Sequence, residues 1–196
     1  MFEEKKFALP ALKGISEKAV AEHLKLYAGY VKFANTILAK IAEYSADSEK
    51  HSYALGELQR RFSFEFDGMR NHEYYFRSLE GGARGLPAQS ALKTAVEKEW
   101  GSWDAFMARF KAVCLTRGVG WAMLEWDTHT KHLVINWNDE QHLGHLTGCQ
   151  PILAVDMWEH AFLFDYVPAD KKKYVEAFFE NLNWEVIEAN FAQASR

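Results

Sequence analysis

Apolar residues recur at alternating steps of three and four along two long stretches of the N-terminal half. Such spacing places apolar side chains on one face of a helix. The first stripe follows Ser16, which can cap a helix, and consists of Val20, His23, Leu24, Tyr27, Tyr30, Val31, Ala34, Ile37, Leu38 and Ile41. The second follows a polar break at Tyr44–Lys50 and consists of Leu55, Leu58, Phe62, Phe66, Met69, His72, Phe76 and Leu79. The pattern predicts two long helices that pair as an antiparallel hairpin.

The pattern changes after Glu80–Pro87, a segment that contains three glycines and a proline. Beyond it the sequence predicts two helices, over Ala88–Glu99 and Trp103–Thr116. Three short strands are predicted next, over Gly120–Trp126, His132–Trp137 and Pro151–Asp156. From Met157 the chain is expected to return to helix, with a break near Pro168. We therefore predict an α+β protein, with an N-terminal helical hairpin domain (residues 1–84) and a C-terminal α/β domain (residues 85–196) that contains a small antiparallel sheet of about three strands.

Composition and charge narrow the class of protein. The chain has 196 residues, of which 48% are apolar and 15% aromatic, and its formal net charge is −4. This length can bury a substantial core, and no basic field is present to attract nucleic acid. No apolar run approaches the roughly 20 residues of a membrane span, and the N-terminus has no apolar signal core. Cys114 and Cys149 are too few for a disulfide scaffold or a cysteine zinc site. We expect a soluble, cytoplasmic protein that binds neither nucleic acid nor membrane.

Two histidines interrupt the apolar stripes at matching positions. His23 lies 24 residues before the expected turn near Asp47, and His72 lies 25 residues after it. At about 1.5 Å per residue, each lies about 36–38 Å from the turn. In an antiparallel hairpin the two imidazoles would therefore lie at nearly the same level on facing stripes. The alternative is two unrelated core histidines, each with its own local hydrogen bond.

The segment Ala154–Phe162 reads "AVDMWEHAF" and carries a second pair of polar side chains. Asp156 ends a predicted buried strand, and His160 is expected about one turn into the following helix, so that both could point at one spot. A buried carboxylate is costly unless it is paired or bound to a metal. The alternative is a helix-capping Asp with a nearby His. Together with His23 and His72, the pair makes three imidazoles and one carboxylate, a donor set that suits iron, manganese or zinc.

Four segments resemble motifs of one known family over almost the whole chain. They are "FALPALKGIS" (Phe7–Ser16), "GVGWAML" (Gly118–Leu124), "NLNWEV" (Asn181–Val186) and, most specific, "DMWEHAF" (Asp156–Phe162). The family is the iron/manganese superoxide dismutases. The resemblance implies that the chain binds one iron or manganese ion, through the ligands His23, His72, Asp156 and His160.

The same resemblance implies an activity and an assembly. The expected reaction is disproportionation of superoxide to dioxygen and hydrogen peroxide, in a homodimer or a dimer of dimers. Trp121 and Trp158 are similar to the aromatic residues that wall the family's site, although plain core packing would also explain them. Glu159 is similar to the residue that crosses the dimer interface to hydrogen-bond His160 of the partner subunit. A solvated helix glutamate is the alternative for this position.

The chain departs from the common family pattern around the metal. The segment His23–Val31 is one residue shorter than usual in the family. Tyr27 stands where a histidine is common. Tyr30 matches the family's gateway tyrosine only if a one-residue gap is placed in the segment. Deleting one residue from a helix rotates everything after it by about 100°. A π-bulge that is present in either the longer or the shorter sequence, but not in both, would compensate for this rotation. Gly68 replaces a glutamine that can hydrogen-bond the metal's solvent ligand. We expect that group to come from Asn138–Leu146 instead, with His142 favoured, Gln141 possible and His145 a weaker option.

Two other functions use the same four ligands. A zinc-type hydrolase could hold its metal this way, although no further Glu or Asp is clearly placed as a general base. A non-catalytic relative could bind metal without turnover. Redox activity of the bound metal separates these alternatives from a dismutase.

Overall fold

The N-terminal half is a helical hairpin, as the apolar stripes predict. The computed structural model describes all residues from 1 to 196. Helix α1 spans Glu17–Tyr44 and begins at Ser16, whose hydroxyl accepts a hydrogen bond from the Ala19 N–H. A short 3-10 turn follows, and helix α2 spans Ser52–Arg77 and packs along α1. The apolar stripe of α1 is the face that is buried in this contact, which confirms the predicted hairpin.

The C-terminal half contains four further helices and one sheet. Its elements are α3 (Ala91–Trp100), α4 (Trp103–Cys114), β1 (Gly120–Asp127), β2 (His132–Asp139), β3 (Cys149–Asp156), α5 (Lys171–Glu180) and α6 (Trp184–Ala194). Helix α3 begins three residues later than predicted because the Ser90 hydroxyl caps it by accepting from the Lys93 N–H. Its end at Gly101 adopts a left-handed conformation, with φ of 82°, that favours glycine.

The sheet has three antiparallel strands in the order β2-β1-β3, which confirms the predicted sheet. The central strand β1 is buried along almost its whole length, and α2 packs against β3. The register places Trp121 opposite Asn138 on one side and opposite Asp156 on the other. This end of the sheet therefore brings three polar or aromatic side chains of the C-terminal half beside the helical hairpin.

The predicted helix from Met157 is wrong in its first part. A 3-10 turn over Glu159–Ala161 follows β3, and regular helix begins again only at Lys171, after Pro168. Trp158 is held in an extended conformation, because its N–H donates to Asp156 Oδ1 at 2.8 Å and its indole N–H donates to the Glu140 carbonyl.

A single apolar core joins the hairpin, the sheet and the C-terminal helices. It extends from Ile15 to Phe191, and its largest fully buried side chains are mainly aromatic, including Trp121, Tyr27 and Tyr75. Aromatic rings provide large apolar contact areas in fixed orientations, which makes this core rigid around the polar residues that it encloses. No helix combines the length and the apolar character needed to cross a membrane.

Candidate metal centre

Four side chains from both halves of the chain converge inside this core. His23 comes from α1, His72 from α2, Asp156 from the end of β3, and His160 from the 3-10 turn that follows. The Nε2 atoms of His23 and His160 each lie 3.0 Å from Asp156 Oδ2, and His72 Nε2 lies 3.5 Å from the same oxygen. One ligand atom from each residue lies within 4.8 Å of all the others. The structure thus brings the four predicted ligands together.

The two hairpin histidines lie at the same level. Their ring centroids are 4.9 Å apart, as equal distances from the turn predict. His160 reaches the cluster although it lies in a 3-10 turn rather than in the predicted helix, because only three residues separate it from Asp156. The grouping therefore depends on the short sequence separation and not on the type of helix.

Hydrogen bonds outside the cluster orient the ligands. His72 Nδ1 lies 2.6 Å from the Gly68 carbonyl oxygen, which requires the proton on Nδ1 and leaves a lone pair on Nε2. Asp156 Oδ1 accepts from the Trp158 N–H, so Oδ2 is the oxygen that faces the imidazoles. The Tyr174 hydroxyl donates to the Asp156 main-chain carbonyl at 2.9 Å. The first two contacts orient a ligand atom toward the centre of the cluster, and the third holds the main chain of Asp156 in place.

Burial decides the charge of the cluster. It lowers the pKa of His72 to about 3, and the neighbouring His23 adds to the effect. Burial also lowers the pKa of His23, despite its hydrogen bond to Asp156. For Asp156 burial acts in the opposite sense, but the contacts with His160 and His23 outweigh it and hold the pKa of the carboxyl below its ordinary value. His23 and His72 are therefore neutral imidazoles at neutral pH, beside a carboxylate that keeps its charge.

These residues fit a mononuclear metal ion. His72 Nε2 is buried and has no hydrogen-bond partner, so its lone pair faces the cluster without a donor. A buried carboxylate and an unpaired buried acceptor are both costly, and one cation would relieve both costs. Ligand atoms that share an ion at roughly 2 Å lie at most roughly 4 Å apart, close to the spacing in this cluster. Three nitrogens and one oxygen suit iron, manganese or zinc.

A hydrogen-bonded chain of side chains lies beside the cluster. Gln141 is fully buried; its Nε2 donates to the Tyr30 hydroxyl at 3.0 Å, and its Oε1 accepts from Trp121 Nε1 at 2.9 Å. The Asn71 amide donates to the Gln141 main-chain carbonyl at 3.0 Å. Both ends of the glutamine are thereby held, next to rings that contact the predicted ligands.

The favoured candidate His142 does not join this chain. Its ring packs against Phe64, with 5.5 Å between the centroids, and its buried Nδ1 has no hydrogen-bond partner. Glu140 has a left-handed backbone, with φ of 53°, that turns the chain after β2 and directs Gln141 inward. The next side chain then faces Phe64 instead. The weaker candidate His145 contacts the main chain of Gln141, with its Nε2 3.2 Å from the Gln141 carbonyl oxygen.

Gly68 makes room for Tyr30. Helix α1 is a regular α-helix throughout, without a π-bulge, and the Tyr30 ring lies 5.1 Å from the His72 ring. A Cβ at Gly68 would lie 2.6 Å from a ring carbon of Tyr30. The tyrosine ring therefore occupies the space that a side chain at position 68 would need. Tyr27 points away from the cluster, and its hydroxyl accepts from the Lys5 N–H at 2.9 Å.

Aromatic rings lie against the ligand side chains, and some of the residues around the cluster were not indicated by the sequence. Trp121 contacts His72 edge-on at 5.0 Å, and Trp158 stacks on His160 at 5.7 Å. Glu159 is exposed beside them. The contacts that sequence reasoning missed are those of Phe64, Asn71 and Tyr174, which reach the site by long-range packing without a local motif.

Comparison with known proteins agrees with this centre. Residues 88–190 match the family model for iron/manganese superoxide dismutases, C-terminal domain. A superoxide dismutase of Aquifex aeolicus, named for iron, is 35% identical over 94% of this chain and 88% of its own length. One of Cupriavidus metallidurans, also named for iron, is 36% identical over 94% and 92%. One of Mycolicibacterium smegmatis, named for manganese, is 33% identical over 88% and 82%. The chain belongs to the iron/manganese superoxide dismutase family.

Proposed function

We propose that this protein disproportionates superoxide to dioxygen and hydrogen peroxide, with one iron or manganese ion per chain. The ligands in this proposal are His23, His72, Asp156 and His160. The observation that carries it is the convergence of three imidazole Nε2 atoms on the buried Oδ2 of Asp156, at 3.0–3.5 Å. Relatives named superoxide dismutase at 33–36% identity support the same activity.

The residues around the cluster would prepare it for a small anion. A bound iron or manganese ion supplies the reversible one-electron exchange that the reaction needs. The Asp156 carboxylate, the single charged ligand, offsets only part of the charge of such a cation, so that the site attracts superoxide although the whole chain is slightly negative. The rings of Tyr30, Trp121 and Trp158 limit the access of water and lower the local dielectric.

Tyr30 and Gln141 are our candidates for handling the protons that peroxide formation consumes. Gln141 Nε2 donates to the Tyr30 hydroxyl, so the phenolic proton remains free for another acceptor. Burial is the main cause that raises the pKa of Tyr30, and the nearby Asp156 carboxylate adds to it, so the phenol keeps its proton at neutral pH. In this proposal Tyr30 donates a hydrogen bond into the site and Gln141 positions it. His142 has no such role, because its contacts are with Phe64.

We also propose that the protein is a homodimer in which Glu159 hydrogen-bonds His160 of the partner subunit. Glu159 lies on the same 3-10 turn as the ligand His160, and its side chain is exposed. Two large apolar side chains follow on the same surface, with Leu163 46% and Phe164 48% exposed. An exposed apolar pair next to an acidic residue can form a self-complementary interface, and this surface supports the proposed dimer.

A ligand substitution with a matched histidine control tests the proposed centre. His160→Ala removes one ligand, whereas His129→Ala removes an exposed imidazole in the turn after β1. We expect His160→Ala to lose bound metal and superoxide removal together, and His129→Ala to keep both. Metal content is measured by elemental analysis, and activity by competition for superoxide with cytochrome c. Survival of metal and activity in His160→Ala would remove the basis of the four-ligand site.

A further inference from the structure

A cavity of about 400 Å³ lies between the N-terminal segment, α2, β3 and α6. None of the four proposed metal ligands lines it. Lys5, Arg70 and Arg77 give its lining three cationic side chains, and Glu73 is its one anionic side chain. This excess of positive charge contrasts with the net charge of −4 of the whole chain. The cavity volume falls within the range of roughly 300–1,000 Å³ that is usual for small-molecule sites.

One wall of the cavity is fixed in place. The Glu73 carboxylate, 8% exposed, accepts from Lys5 Nζ at 2.5 Å and from Arg70 Nη1 at 2.8 Å. The Arg70 guanidinium also lies 5.5 Å from the Phe2 ring and 5.3 Å from the Phe66 ring. These contacts hold two cations at defined positions, so that a ligand would not have to order them.

The other wall carries polar groups that have no partner within the chain. The Arg77 guanidinium makes no hydrogen bond or ion pair, and the Tyr74 hydroxyl beside it makes none either. The side-chain amides of Gln150 and Gln193 also line the cavity without internal hydrogen bonds. A guanidinium binds phosphate or carboxylate through paired N–H donors, and amides suit hydroxyl groups.

We propose that this cavity binds a small hydroxylated oxyanion, with its charged end on Arg77 and Tyr74 and its hydroxyls on Gln150 and Gln193. A sugar phosphate and a sugar acid share this chemistry. The proposed site is separate from the metal centre, and its existence does not depend on superoxide chemistry.

Titration calorimetry of the metal-loaded protein with three related probes tests the site. The probes are glucose 6-phosphate, gluconate and glucose, at one fixed ionic strength. We expect saturable binding of at least one of the two oxyanions and none of glucose. Binding of only one identifies its charged group, phosphate or carboxylate, as the one that the cavity selects.

Two arginine substitutions separate a built site from general charge attraction. Arg77→Gln should weaken binding at least about ten-fold, because a hydrogen bond to a charged group is lost. Arg109→Gln makes the same charge change at an exposed residue of α4 outside the cavity, and should leave the affinity unchanged. Both positions are exposed, and equal melting temperatures and metal contents would show that both variants fold.

The proposal is overturned if neither oxyanion binds saturably, if glucose binds as well as they do, or if both variants weaken binding equally. Superoxide removal, measured on the same samples, reports on the metal centre independently. Active protein without oxyanion binding would refute the cavity site alone, whereas binding without superoxide removal would refute only the proposed dismutase function.

Discussion

Replacing Gly68 by alanine should disturb the site through Tyr30. The added Cβ would lie 2.6, 2.7 and 3.0 Å from three carbons of the tyrosine ring, closer than such atoms can approach. Because Gly68 belongs to a long helix that packs tightly on α1, the ring has to move instead of the backbone. Its movement would lengthen the 3.0 Å hydrogen bond from Gln141.

Two opposing effects determine how much Gly68→Ala changes the stability of the protein. Glycine to alanine in a helix interior stabilises by about 1 kcal/mol, whereas overpacking a tight contact costs about 1–3 kcal/mol. Gly56→Ala is the matched control on the same helix, since nothing lies within 4 Å of its added Cβ. We therefore expect Gly68→Ala to be about 1–3 kcal/mol less stable than Gly56→Ala. For a chain of 196 residues, this corresponds to a difference in melting temperature of roughly 2–12 °C.

The assay is thermal unfolding and superoxide removal of both variants at equal metal occupancy. Gly56→Ala should melt slightly above the unmodified protein and keep its activity, while Gly68→Ala should melt lower and lose activity as Tyr30 is displaced. If Gly68→Ala melts as high as the control and remains fully active, the tyrosine ring does not lie over Gly68, and this glycine is not needed to make room for it.

Two further predictions concern protons at the site. Gln141→Ala should lower superoxide removal by about ten-fold and shift its pH profile, because Tyr30 loses the amide that positions it. His142→Ala should change neither the rate nor the pH profile. A larger effect of His142→Ala than of Gln141→Ala would make His142 the functional residue. The metal-free protein should lose stability as pH falls from about 6.5 toward 3, because unfolded His72 binds a proton in that range while the folded pKa is about 3. Urea unfolding at a series of pH values measures this slope, and a metal-free His72→Leu variant should show a shallower one; equal slopes would contradict the assignment.

The parts of the structure that follow from constant local geometry could be predicted from the sequence. The rise per residue of a helix is nearly fixed, so equal distances from the turn place His23 beside His72, 4.9 Å apart between ring centroids. Asp156 and His160 are close in sequence, so they meet whether the segment between them is helical or not. The helical apolar stripes likewise predicted the hairpin, and three short segments rich in apolar residues predicted the strands of the sheet.

The parts that depend on long-range contacts could not be predicted. The side chain that reaches Tyr30 is Gln141 and not His142, because of the left-handed backbone at Glu140 and the indole N–H of Trp121 from another strand. A pattern of residue types does not report where such a loop points. The extended conformation at Trp158 has the same origin, since the Glu140 carbonyl that holds its indole N–H comes from a distant part of the chain.

The most direct test of the dismutase proposal is metal reconstitution. Protein stripped of metal is reloaded separately with iron, manganese and zinc to one ion per chain, and superoxide removal is measured for each form. We expect no activity for the stripped and zinc forms, and activity for the iron form, the manganese form or both. Protein that holds one iron or one manganese ion per chain and removes no superoxide with either would contradict it.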